Sequence, residues 1–422
     1  MKVWHWGTIA TLPILLGLGW FAWTSHTWVR APIRIGLLHS LTGPMSISEA
    51  SMVDAEKMAI DEINAAGGLL GRRLEAVVAD GRSDPAIFAR EADRLIRDEH
   101  VSVIVGCWSS TCRKSVMPVV ERADHLLIYP VAYEGMEKSP NIIYTGAAPN
   151  QLIIPTVQWC MDVLKAKTFF LIGTDAIWPK AVNTIIKDEL KAVGGKLLGE
   201  EYCNLDTSNM DGLVAKFVKA KPDVVLCTIE GFANLPFYQK ARSAGGEALK
   251  IPIVNFVVAE DELRQLPAKD MVNDYAVCNY FQSLDRPENT ILVRNFKHKY
   301  GQDRVTSDSL INGYDSVKFW AEAVRETDTD EVSLVRESML RQSLNSAAGV
   351  ISLDRESQHT WRPFYVGKVR GDGQIDIVWS MIKPIRPIPY PFSRTQEEWD
   401  EFLRTLHTES SGSRIPQSTG VH

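Results

Sequence analysis

The chain has 422 residues, 45% of them apolar and 23% charged, with a formal net charge of -6. That length allows two domains, each with its own core. The composition excludes a disordered chain and a polytopic membrane protein, and no Lys/Arg stripe interleaved with aromatics points to nucleic acid.

The N-terminal stretch from Val3 to Trp23, "VWHWGTIATLPILLGLGWFAW", is nearly uncharged. It is about long enough to span a bilayer, and Trp4, Trp6, Trp20, Trp23 and Trp28 stand where interfacial aromatics sit. Lys2 precedes it, and neither a small-x-small cleavage site nor a lipid-accepting cysteine follows. Residues 1–31 therefore read as a signal anchor or signal peptide. Either form places the body in the periplasm or otherwise outside the cytoplasm, with the N-terminal helix associated with the inner membrane.

After Arg30 short apolar runs alternate with helical spacing. Strands are expected at 33–39, 73–80, 101–106 and 125–130, with helices near 51–66, from Pro85, and at 109–123. The pattern restarts near Asn150, with strands at 167–173, 196–203, 223–229 and 251–258 and helices at 179–193, near 208–220 and up to Ala244. Strands of four to eight residues separated by helices predict parallel sheets with right-handed crossovers. Further on, "YAVCNYF" and helices at 287–300, 308–325 and 332–343 precede two alternating runs within 361–379. These join through Gly371-Asp372-Gly373, a hairpin signal. The proline-rich segment from Lys383 reads as an extended strap, and Ser410 to His422 is polar enough for disorder.

Ligands of open parallel sheets bind beyond the carboxyl ends of the strands. The loops there hold hydroxyls, carboxylates and aromatics without a catalytic constellation. "GCWSS" lacks the second glycine of a nucleophile elbow, no histidine is singled out as a partner for Cys107, and no metal or nucleotide motif occurs. The chain is expected to be no enzyme and to carry neither cofactor nor metal. In "CWSS" a strand end meets a helix start, where Ser109 or Ser110 caps the helix and free N–H groups face the cleft. Arg113 and Lys114, one turn in, read as a solvated face. Cys107 and Cys112 are five apart, which leaves packing or a local disulfide open.

The segments "IRIGLLHSLTG", "INAAGGLLGR", "GCWSSTCRKSVMPVVERADHLLIYPVAYEG", "SPNIIYTGAAPNQ", "AKPDVVLCTIEG", "NYFQSLDRPEN" and "QHTWRPFYVGKVRGDGQIDIVW" together resemble the urea and short-chain amide branch of the branched-chain amino acid type of solute-binding protein. The resemblance runs from about Ile33 to Pro391. It implies an α/β type I periplasmic binding protein fold, with two doubly wound parallel-sheet lobes joined by three crossover segments and closing on a small molecule. Expected lobes are 32–149 plus 280–346, and 150–279 plus 347–390, followed by a tail over 391–422. The family's pocket maps onto Trp108, Ser109 and Ser110, then Tyr129, Val131 and Tyr133, then Asp175, Ala176 and Trp178, then Glu230, Val258 and Glu260. Trp108 and Trp178 would stack on a planar ligand, while Ser110 and backbone N–H groups would hold its oxygen.

The resemblance implies capture of a urea-like or amide-like ligand for an ABC transporter permease, with a membrane-tethered sensor signalling to a regulatory partner as the alternative. Departures concern the pocket. Ala176 stands where the branch usually has tyrosine, Val131-Ala132 and Val257-Val258 replace small polar side chains, and Glu230 replaces a neutral residue. If Glu230 is buried, it calls for a ligand larger than urea that still presents N–H donors, such as a substituted amide, an amidine or a small amine. If it faces solvent, urea still fits.

Overall fold

The computed structural model describes residues 30–412. The expected N-terminal anchor lies outside these residues; among the described ones no helix is long and apolar enough to cross a membrane.

Fifteen strands form two sheets. In chain order they are β1 (Ile33–His39), β2 (Leu74–Asp80), β3 (Val103–Gly106), β4 (Leu127–Tyr129), β5 (Ile142–Tyr144), β6 (Thr168–Thr174), β7 (Lys196–Cys203) and β8 (Val224–Thr228). They continue as β9 (Ile253–Asn255), β10 (Tyr275–Cys278), β11 (Ser343–Ser346), β12 (Gly349–Asp354), β13 (His359–Thr360), β14 (Arg362–Val369) and β15 (Ile375–Ile385). The first sheet runs β2-β1-β3-β4-β5-β13-β12-β11, parallel from β2 through β13. The second runs β7-β6-β8-β9-β10-β14-β15, with its first five strands parallel and the closing hairpin antiparallel.

Strands β3, β4 and β8 are buried at every position, as expected of strands covered by helices on both faces. The helix Pro85–Arg97 starts where the sequence signals it: Asp84 accepts from the N–H groups of Ala86 and Ile87, and Pro85 fills the first turn. The helix Ile177–Val193 ends at Gly194, whose φ of 79° is the left-handed stop that glycine takes without strain.

Three differences from the sequence-based expectations have local causes. The expected strand 251–258 is confined to Ile253–Asn255, because the N–H groups of Val257 and Val258 turn back onto the Asn255 side chain at 2.6 and 2.7 Å. The expected second-lobe segment 347–390 divides: β12 and β13 extend the first sheet, and only β14 and β15 belong to the second. Residues 391–412 are no bare tail, since the helix Gln396–Gly412 buries Trp399, Leu403 and Leu406 in a core shared with helix Ile177–Val193.

The chain crosses between the sheets after β5, after β10 and after β13. Asn279 ties the three crossings together, its side-chain N–H donating to Gln151 O at 3.2 Å and Pro363 O at 2.6 Å. Gln151 in turn donates to Thr360 O and Ile385 O. These bonds leave relative rotation of the lobes as the soft motion while the strands stay packed.

Candidate functional site between the lobes

The carboxyl ends of both sheets face one cleft. From the first lobe come the loop after β3, with Trp108, and the start of helix Ser46–Ala65; from the second come the loops after β6, β8 and β9. The lobes touch across the cleft. Phe232 N–H donates to Pro44 O at 3.0 Å, and Ser51 Oγ donates to Asp261 Oδ2 at 3.0 Å. Gly231 makes the first approach possible: its φ is 62°, and a Cβ there would lie 2.6 Å from Pro44 O.

Beneath the Trp108 loop lies a charged network. Arg113, fully buried, donates to Glu134 at 2.9 Å and to Glu137 at 2.8 Å, with its guanidinium 4.7 and 4.6 Å over the rings of Tyr129 and Tyr133. Lys114 adds a 2.8 Å bond to Glu137. Burial alone would raise the Glu137 carboxyl, but the charges of Arg113 and Lys114 outweigh it and hold it well below the usual carboxylate range. The expectation of a solvated face at Arg113 and Lys114 is therefore corrected: helix Ser110–Arg122 turns both toward two acids placed 21 and 24 residues after Arg113, a pairing that sequence distance hides.

Ser110 is also reassigned. Its hydroxyl donates to Glu134 and accepts from Arg113 at 3.1 Å, so it is spent inside the first lobe and does not face the cleft. Ser109 is the cap residue by position, but its side chain makes no capping bond. Cys107 and Cys112 are disulfide-bonded and close the turn that carries Trp108.

A second buried group was not singled out by sequence. His39 lies between Glu56 Oε1, at 2.9 Å, and Glu49 Oε2, at 3.5 Å. Burial would lower its imidazole, yet the two carboxylates win and push it up to about 10, so it is an imidazolium. Glu49 Oε2 also accepts from the N–H groups of Ser40 and Trp108, at 2.9 and 3.2 Å, which anchors the Trp108 loop from below. The readable signal is the seven-residue spacing of Glu49 and Glu56 on the buried face of one helix.

The second lobe presents acids without such matching. Glu230 is 2% exposed and its carboxyl accepts from Thr174 Oγ1 at 3.3 Å. Among the described residues no Lys or Arg pairs with it. Burial pushes it up to about 8, opposed by hydrogen bonding from Thr174 and Trp108 and aided by the charges of Glu134 and Glu49. Glu260 is fully buried and also rises to about 8 by burial, with Oε1 accepting from Gln282 N–H at 2.7 Å and Oε2 unpartnered.

Two cavities share the cleft. The inner one, about 40 Å³, is mostly apolar and includes Trp108, Val131, Leu152, Trp178, Phe256 and Val257, with Asp308 at its rim. The outer one, about 450 Å³, includes Trp108, Ser109, Asp175 and Ala176. Trp108 is common to both. Of the residues expected at the site, Ser110, Tyr129, Tyr133, Glu230, Val258 and Glu260 line neither cavity. Tyr129 and Tyr133 hold Arg113, with the Tyr133 hydroxyl on His359. Val258 packs into the second-lobe core while Val257 faces the cavity, and Asp175 pairs with Lys180 at 2.5 Å. Leu152, Phe256 and Asp308 were missed because they sit at crossings or helix starts, where no side-chain pattern marks the cleft.

The periplasmic binding protein domain model matches residues 33–396. A Leu/Ile/Val-binding protein homologue of Brucella melitensis is 23% identical over 388 residues, covering 86% of this chain and 94% of that protein. Limonene hydroxylase of Geobacillus stearothermophilus is 33% identical over 122 residues, which span 29% of this chain and only 22% of that protein. Among solved structures, a solute-binding protein of an ABC transporter from Rhodopseudomonas palustris, in complex with 3,4-dihydroxybenzoic acid, superposes with a TM-score of 0.75 at 20% identity. It covers 83% of this chain and 97% of that one. A branched-chain amino acid transporter substrate-binding protein from Streptococcus pneumoniae, in complex with isoleucine, gives 0.74 at 20% identity, covering 82% and 99%.

Proposed function

Because the chain belongs to the periplasmic binding protein family, whose members act outside the cytoplasm, we propose that it captures an amide-like solute between its lobes and presents it to an ABC transporter permease. Glu230, which lines neither cavity but hydrogen-bonds to Trp108 on the wall of both, carries this reading. A carboxyl buried at the cleft without a cation is costly to ionise, and it stays neutral up to about pH 8. A neutral carboxyl offers one O–H donor and a carbonyl acceptor, and a primary amide offers the complementary pair. The Trp178 indole N–H, on the wall of the inner cavity and unpartnered, adds a donor for the amide oxygen.

The solutes named for the related structures, a benzoate and isoleucine, both carry a carboxylate. An anionic group beside Glu230 would be repelled once Glu230 ionises.

Calorimetric titration of acetamide, butyramide, urea, benzoate and leucine at pH 6.5 and pH 9 tests the proposal. Butyramide is expected to bind more tightly than urea, and amide affinity is expected to drop by up to about tenfold at pH 9, where most Glu230 is ionised. A cationic ligand would show the opposite pH trend. Binding of benzoate or leucine with silence from every amide would sink the reading, and urea outbinding all larger amides would remove its size component.

A further inference from the structure

We infer that the outer 450 Å³ cavity is a second subsite of the same cleft, which takes an aryl or branched alkyl tail of the ligand, and that the C-terminal helix Gln396–Gly412 is one of its walls. The amide proposal supplies only the head group in this inference; the tail subsite stands on separate observations.

The first is size and continuity. The inner cavity has room for a few atoms, whereas the outer one falls within the range of small-molecule sites. Trp108 lines both, so the two cavities are neighbours across a single indole.

The second is the character of the walls. Met45, Pro85 and Phe88 come from the first lobe, and Ile177 and Leu205 from the second. Ala176 ends the wall with one methyl group at the position where helix Ile177–Val193 begins. A large side chain there would occupy the chamber. These apolar side chains suit a hydrocarbon or aryl group, while Ser83, Thr111 and Ser115, together with the charged Lys114 and Asp175, place polar groups on the same walls for a substituent at its end.

The third is the origin of the far wall. His407 lines the cavity, yet it belongs to a helix that begins where the family match ends, at residue 396. That helix is held firmly on the second lobe. Trp399 is fully buried with its indole donating to Pro391 O at 2.8 Å, and Arg394 grips Asp188 with two bonds of 2.7 and 2.9 Å while its guanidinium lies 4.6 Å over the Trp399 ring. Seated on the second lobe, it places His407 on the wall of the same cavity as the first-lobe residues Phe88 and Pro118. The chamber is thus bordered by both lobes and by an element outside the matched domain.

The test compares acetamide with 3-phenylpropionamide, and adds benzyl alcohol as a probe without an amide, all by calorimetry on the full chain. The phenyl-bearing amide is expected to bind about tenfold to a hundredfold more tightly than acetamide, the gain from burying one aromatic ring. Ala176→Trp, which fills the chamber from the second lobe, and His407→Trp, which fills it from the C-terminal helix, are each expected to cut the phenyl-to-methyl ratio at least tenfold. Thermal unfolding of both variants identifies either one that fails to fold, and the other then decides. A ratio near one in the wild type, or a ratio untouched by a folded variant, overturns the subsite. If both amides are silent, the amide proposal fails by itself: benzyl alcohol bound by the wild type and lost in the variants still supports the subsite, and benzyl alcohol bound by none or by all overturns it.

Discussion

The two faces of the cleft bury charge in opposite ways. In the first lobe every buried cation meets an acid: Arg113 and Lys114 with Glu134 and Glu137, His39 with Glu49 and Glu56. In the second lobe Glu230 and Glu260 are buried without a cation, and both are pushed up to about 8. A saturated network makes a rigid base, because each group already has its partner. An unsaturated one costs stability and leaves groups with capacity for a ligand. The first lobe thus holds Trp108 in place, while the second keeps unpaired acids behind the cleft wall and the first adds Asp308 at the inner cavity.

Breaking the saturated side is expected to have the largest effect. Arg113→Met leaves Glu134 and Glu137 with Lys114 as their one remaining cation, 4.0 and 2.8 Å away, and removal of one partner from a buried pair costs about 3–5 kcal/mol. Urea unfolding at pH 7 checks this, and a loss under 1 kcal/mol would mean that the network is not the base of the cradle.

Glu230→Gln has the opposite sign. The folded Glu230 carboxyl titrates near 8 and the ordinary value is 4.5, so the folded state holds a proton that the unfolded chain releases between these pH values. The wild type therefore loses stability as pH rises through that window, and above it the buried charge remains. The glutamine variant escapes this loss. Its advantage is expected to be absent at pH 4, to grow between pH 4.5 and 8, and to level off on the order of 5 kcal/mol at pH 9. An advantage independent of pH would show that Glu230 titrates normally.

The smallest effect concerns where the faces meet. Gly231→Ala places a methyl group against Pro44 O with the backbone at positive φ, and is expected to cost about 1 kcal/mol in stability. Since the clash arises only when the lobes approach, the variant should lose more ligand affinity than stability. Equal losses in the two measurements would place Gly231 outside the closing contact.

Much of the architecture was legible because it rests on local periodicity. Strand β7 and the helix Pro287–Tyr300 fall where the pattern put them, and the helix expected from Pro85 starts at that proline. The site was legible only in part. Trp108, Val131, Asp175, Ala176 and Trp178 border the cavities, whereas Ser110, read as a ligand contact, is held by Glu134 and Arg113. Nothing in the order of residues ties Arg113 to Glu137, or Asn279 to both Gln151 and Pro363.

By itself, then, the sequence determined the repeated strand–helix alternation and the loops at the strand ends, since apolar spacing acts over one element and its immediate neighbours, while the two-lobe family followed from the resemblance of its motifs. The tertiary structure alone decided that 349–360 extends the first sheet, that Cys107 and Cys112 are joined, that Glu230 is buried, and that a C-terminal helix borders the outer cavity. Each depends on groups distant along the chain meeting in space, and a buried charge acquires its energy from those neighbours.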